Sequence, residues 1–207
     1  MADCPPGDEP MRADHANSRV GQETALLVVD LQQALCDAAP AAAMDLVTER
    51  IAALLECAEA RSWPVVFVQH WTEPGTILDR GSAGWQLAEV LRSHEPDFRI
   101  EKNVSSSFEG GKLDAWLRAH GVSRLCIAGM QSEYCISAAC EGAVARGYEV
   151  ILPVDAHMTI DGPQQSAAEI VAEVNDRFGA LATCLPAASL IALGVGHPKD
   201  AGGVPAL

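Results

Sequence analysis

Short apolar runs alternate with longer segments whose apolar residues recur at helical spacing, and this alternation constrains the fold more than any other feature. Residues 25–29, 65–68, 97–102, 124–128, 149–152 and 181–185 read as strands. Several are apolar without interruption, which is what a strand buried on both faces requires. Between them, 41–62, 112–120, 133–146 and 164–178 read as helices, the first on the spacing of Leu46, Ile51, Leu54 and Leu55. Gly121, Gly147 and Gly179 stand where helices stop. A shorter helix is expected over 85–92, and a closing turn or helix over 187–193. Parallel strands need long crossovers, and helices supply them. The expectation is one α/β domain, a three-layer α/β/α sandwich around a six-stranded, mainly parallel sheet. It spans 24–197, between a flexible N-terminal arm (1–23) and a flexible tail (198–207) that are polar and lack apolar periodicity.

A chain of 207 residues suffices for one well-cored domain. Its net charge of −14 argues against nucleic acid or an anionic membrane as partner, since both need clustered Lys and Arg. No apolar run is long enough to span a bilayer, and no secretory leader pattern is present. The seven cysteines are odd in number and scattered through apolar surroundings, which points to reduced thiols in a cytoplasmic setting.

In open parallel sheets, ligands bind beyond the carboxyl ends of the strands. An acid, an ammonium and a thiol are expected there: Asp30 after the first strand, Lys102 after the third, Cys135 after the fourth. A carboxylate can take a thiol proton, and an ammonium can hold the thiolate that results. Cys135 is also expected at a helix start, where the dipole would lower its pKa.

These residues lie in the motifs Leu27-Val28-Val29-Asp30-Leu31-Gln32, Lys102-Asn103-Val104-Ser105-Ser106-Ser107-Phe108 and Gly129-Met130-Gln131-Ser132-Glu133-Tyr134-Cys135-Ile136. With Gly84-Trp85-Gln86-Leu87 and Val154-Asp155-Ala156-His157, they make residues 24–194 resemble the isochorismatase-like cysteine hydrolases, a superfamily with a Rossmann-like fold. The resemblance implies an Asp30–Lys102–Cys135 triad, with Asp30 as general base and Cys135 as nucleophile. It also implies a non-proline cis peptide at Met130–Gln131, an oxyanion hole from the N–H groups of Gln131 and Cys135, and a homodimer or homotetramer. True isochorismatases of the superfamily lack the cysteine, so a small amide or ureide is the expected substrate here. An ester hydrolase, an isochorismate-type hydrolase and a non-catalytic binding protein remain alternatives. After the second strand, where nicotinamidases carry an Asp-x-His metal signature, this chain has Gln69-His70-Trp71-Thr72. No metal of that kind, and no cofactor, is expected.

Each candidate also has a plainer explanation. Asp30 suits a cap, Lys102 a solvated strand end, and Cys135 alone a buried inert thiol. Cys126, Cys140 and Cys184 read as packing, whereas Cys36 is close enough to the first strand to approach the pocket. Gln32, His70, Trp71, Trp85, Phe108, Glu133, Tyr134 and His157 are candidate substrate-binding residues. The aromatics suit core packing equally well. Glu133 suits either a substrate amine or the helix start, and His157 either the pocket or a structural hydrogen bond.

Overall fold

The computed structural model describes residues 23–193. The expected arm, apart from its last residue Glu23, and the whole of the expected tail lie outside the described residues. Strand β1 (Thr24–Val29) is buried at every position. It leads through a short helix α1 (Gln33–Ala38) into the long α2 (Ala41–Ala60) and then β2 (Val65–His70). A single-turn α3 (Glu89–Arg92) precedes β3 (Phe98–Lys102), and α4 (Lys112–Ala119) precedes β4 (Arg124–Met130). A π-helical turn, Ser132–Ile136, runs directly into α5 (Ser137–Val144). Then come β5 (Glu149–Pro153), β6 (His157–Met158), α6 (Ala167–Phe178), β7 (Thr183–Leu185) and α7 (Ala187–Ala192).

The sheet is wholly parallel in its pairings, in the order β3-β2-β1-β4-β5-β7. The chain therefore winds outward from β1 in one direction and restarts at β4 in the other. The switch point between β1 and β4 is where such sheets open a crevice at their carboxyl edge. The sheet has seven strands where six were expected. The addition is β6, which pairs with β4 at Gly129 and Met130 after β5 has left it at Cys126. Two residues, one of them histidine, give no periodic signal.

Alternation within β1 explains why the strand must be apolar throughout. Leu26 and Val28 pack with Met44, Val47, Ile51, Leu54 and Leu190 on one face. Ala25, Leu27 and Val29 pack with Leu113, Leu117, Ala139, Val174 and Phe178 on the other. Each fully buried aliphatic side chain contributes roughly 1.5–3 kcal/mol, so both helical layers are fixed on the central strands. Leu46, expected on the inner stripe of α2, is exposed, and Met44 and Val47 occupy that stripe instead. The α6 stripe is Ile170, Val174 and Phe178, four residues apart. That helix starts later than expected because Ser166 and Glu169 form a reciprocal capping box. The expected 85–92 helix shrinks to Glu89–Arg92. Ahead of it, Leu87 is bridged antiparallel to Gln32 and the Gln86 carbonyl accepts from Gln33 N–H, so that backbone is committed elsewhere. Among the described residues, no helix is long and apolar enough to cross a membrane.

The close approach of β1 and β4 at the switch point depends on Gly129. Its φ is +122°, and a Cβ there would lie 2.0 Å from the Val29 carbonyl oxygen. Gly81 also has positive φ, at +81°, but open space around it. Gly81→Ala should therefore cost about 1 kcal/mol, for backbone strain alone. Gly129→Ala should cost about 3 kcal/mol or more, because strain and overpacking add. Urea unfolding of the two variants checks this; equal losses would contradict the close-approach account.

Candidate active site

Asp30 is the first residue beyond β1, and its φ is +49°. Aspartate tolerates this left-handed region better than most residues. The turn takes the chain off the sheet while Asp30 N–H still donates to the Val68 carbonyl (2.9 Å). Lys102 ends β3 and His70 ends β2, and the two are cross-strand partners. Cys135 lies in the π-helical turn after β4, beyond the cis peptide Met130–Gln131 that the resemblance implied.

The strand ends converge on one ammonium. Lys102 Nζ is 2.6 Å from Asp30 Oδ2 and 3.1 Å from Cys135 Sγ. It is also 3.3 Å from His70 Nδ1. Lys102 is 5% exposed and Asp30 1%, while Cys135 is half-buried. An ammonium withdrawn from water this far needs hydrogen-bond partners, and all three of its protons have one. Asp30 Oδ1 is buried without a conventional hydrogen-bond partner, and the Cys135 thiol, a weak donor, lies beside that carboxylate.

Electrostatics correct one expectation. Burial, and next the Asp30 carboxylate, push the Cys135 thiol up to about 12, against the pull of Lys102. The expected lowering by a helix start is outweighed because the thiol is partly desolvated and faces an anion. Burial also raises Asp30 above its ordinary value, opposed chiefly by Lys102. His70 is lowered, first by burial and then by Lys102, so its ring is neutral near neutral pH. The resting site thus holds a protonated thiol next to a carboxylate whose affinity for protons is heightened. That pair is suited to proton transfer during attack rather than to a standing thiolate.

One carboxylate oxygen, one imidazole nitrogen and the thiol of Asp30, His70 and Cys135 lie within 4.8 Å of one another, a spacing that suits metal ligation. Here the Lys102 ammonium makes those contacts and is the central cation. The chain does contain an Asp-x-His, Asp155-Ala156-His157, after β5 rather than β2. Its groups are engaged in structure: Asp155 Oδ1 accepts from Ala187 N–H (2.7 Å), and Oδ2 pairs with Arg50 (3.3 Å).

The remaining candidates divide. His157 is 2% exposed, with Nδ1 2.9 Å from Ser132 Oγ and Nε2 3.0 Å from Asn175 Oδ1. Asn175 Nδ2 donates to the Val154 carbonyl, so its Oδ1 accepts from Nε2–H, and Nδ1 is left to accept from Ser132. Burial lowers the pKa of His157, in keeping with this neutral ring. His157 therefore ties β6 and α6 to the start of the turn that carries Cys135, a structural role. Phe108 is 2% exposed; it packs near Tyr148 and against Gly142 of α5, where a Cβ would come within 2.7 Å of the ring. Gln32 is fully buried, and its amide accepts from His70 N–H (2.8 Å) while donating to the carbonyls of His70 and Trp85 (both 2.9 Å). Gln69, which the sequence did not single out, donates to the same Trp85 carbonyl (3.2 Å). Trp85 thus enters through its backbone. Trp71 is half-buried beneath Arg80, 4.1 Å from guanidinium carbon to ring centre, and its N–H donates to the Lys102 carbonyl. Glu133 and Tyr134 border a cleft of about 390 Å³ whose far side is Gln165, Ile170 and Arg177. Asp30, Lys102 and Cys135 do not line that cleft. Glu133 Oε1 accepts from Thr159 (2.9 Å), and Tyr134 is 57% exposed. Cys126 and Cys140 are buried, Cys36 and Cys184 half-buried; all are free thiols.

The isochorismatase-domain family model matches residues 24–184. Streptothricin hydrolase of Streptomyces noursei is 35% identical over 142 residues, spanning 67% of this chain and 51% of that protein. Ureidoacrylate amidohydrolase RutB of Caulobacter vibrioides is 26% identical over 152 residues, 55% of this chain and 67% of that one. The chain thus spans about half the length of the first of these relatives. Among solved structures, an isochorismatase of Pseudomonas putida KT2440 superposes with a TM-score of 0.74 at 25% identity, covering 90% of this chain and 93% of that one. With most of its described length matched in sequence and in fold, the chain belongs to the isochorismatase family.

Proposed function

We propose that this protein is a cysteine hydrolase that cleaves a C–N bond, in an amide or ureide of a small molecule, through a thioester on Cys135. The observation that carries the reading is the buried ammonium of Lys102, held 2.6 Å from Asp30 and 3.1 Å from Cys135. The amidohydrolase among its relatives supports C–N cleavage over other hydrolysis.

Each step follows from the resting charges. Sγ attacks the carbonyl carbon as its proton passes to Asp30, and Lys102 stabilises the negative charge on sulfur as it develops. The carbonyl oxygen becomes an oxyanion, held in this reading by the N–H groups of Gln131 and Cys135. Such donors are each worth roughly 10²–10³ in rate. The C–N bond then breaks, and the proton on Asp30 leaves with the nitrogen. Water, giving a proton to Asp30, attacks the thioester; the C–S bond breaks, the acid departs and sulfur regains a proton. Asp30 must therefore be basic at two points in the cycle and acidic at two others. A carboxyl raised toward neutrality by burial is suited to both.

A screen of small amides, ureides and esters for ammonia, amine or acid release tests the reading. Activity on the nitrogen substrates should fall at least about 10⁴-fold in Cys135→Ala. In Asp30→Asn it should fall about 10²–10⁴-fold, the usual range for a lost general base. Cys135→Ala retaining activity would remove the thiol from the mechanism, and release only from esters would replace C–N cleavage by ester hydrolysis.

The pH dependence has a definite sign. Asp30 must be ionised in the free enzyme, and its pKa is raised above the ordinary 3.8. The kcat/KM profile should therefore fall on the acid side through a midpoint clearly above 3.8. A limb at or below that value would contradict Asp30 as the buried base.

A further inference from the structure

The triad leaves one contact of Lys102 unexplained. An ammonium has three protons, and the third points to His70 Nδ1 at 3.3 Å. Lys102 only donates, so Nδ1 must be bare, and the neutral ring carries its proton on Nε2. The neutral state agrees with the lowered pKa of His70, whose causes are burial and the neighbouring ammonium. The ring is also held in place. Gln32 grips the His70 backbone from both sides, accepting from its N–H and donating to its carbonyl, and His70 faces Lys102 across the β2–β3 register. Gln32 is fully buried and makes two of its three hydrogen bonds to His70, which fixes that residue's position closely.

Without this third acceptor one buried ammonium proton would lack a partner, and the amine would be free to shift between its two remaining acceptors, a carboxylate at 2.6 Å and a thiol at 3.1 Å. Sulfur is the weaker acceptor, so the lysine would settle on Asp30 and leave Sγ. We propose that His70 is a positioning residue: its bare Nδ1 holds the Lys102 ammonium within reach of Cys135 Sγ. This rests on the reading of Cys135 as nucleophile and adds a fourth member to the triad, one that acts only through the lysine.

Alkylation of Cys135 tests this without any substrate. The full chain is treated with iodoacetamide at pH 8, and the rate at each cysteine is read by peptide mass spectrometry. Cys36 and Cys184, also half-buried, serve as internal references. His70→Leu should slow alkylation of Cys135 about tenfold or more, the scale of a lost hydrogen bond from a charged group, while the references keep their rates. His70→Asn sets an amide oxygen near the Nδ1 position and should recover the wild-type rate to within about threefold, since that oxygen accepts as Nδ1 does. If His70→Leu does not fold, His70→Ala removes the same acceptor with less disturbance. An unchanged Cys135 rate in the Leu or Ala variant would overturn the proposal. So would equal slowing in the Asn variant, because any acceptor there should serve. Hydrolytic activity is not needed for either outcome, so a failed substrate screen and a failed positioning role are separable.

Discussion

A lysine ammonium buried at the carboxyl edge of a parallel sheet is the constraint on which the rest of this site depends. Removing such a charge from water costs several kcal/mol unless its partners are close and well directed. At 5% exposure, Lys102 meets that requirement with a carboxylate, a thiol and an imidazole, one for each proton. Losing the carboxylate would leave a buried charge uncompensated, which typically costs 3–5 kcal/mol. The same ammonium that demands these partners also gathers the groups that the proposed acyl chemistry would use. Stability and reactivity here have one origin.

Much of the surrounding structure keeps those partners at their distances. Gly129 lets β1 and β4 close to contact at the switch point, so Asp30 and the turn that carries Cys135 leave the sheet side by side. Gln32 fixes the end of β2, and through it His70. On the other flank, His157 joins Ser132 to Asn175, anchoring the first residue of the turn that carries Cys135. The two apolar layers press on both faces of β1, and the polar clamps act only at the carboxyl edge. A doubly wound sheet supplies the rigid base, and buried amides and one buried imidazole supply the fine placement.

The parts legible in the sequence were those written in periodicity or in strand-end position. Asp30 and Cys135 come after apolar runs and Lys102 ends the alternating strand β3, so strand-end position alone brings the three to one edge of the sheet. What stayed hidden depends on which way a side chain points. Phe108, at the end of the Lys102-Asn103-Val104-Ser105-Ser106-Ser107-Phe108 motif, turns into the core against α5, and Gln32 turns inward to bind backbone. No spacing rule distinguishes those directions from the pocket. His157 looked equally suited to the pocket or to structure, and only the two partners of its ring decide it. The short helix α1 has no capping side chain and β6 only two residues, so neither carries a local signal. The thiol's pKa was missed for a related reason. Position near a helix start is visible in sequence, whereas desolvation and the nearness of Asp30 are not.

In the proposed reaction Cys135 carries the acyl group during turnover, and its proton passes to the Asp30 carboxylate. Acid-quenched peptide mass spectrometry during turnover of a slow amide or ureide substrate addresses this most directly. An acyl adduct is expected on the peptide containing Cys135, with no other cysteine modified and none on the Cys135→Ala variant. Steady turnover with that peptide remaining unmodified, or an adduct on a different residue, would contradict it.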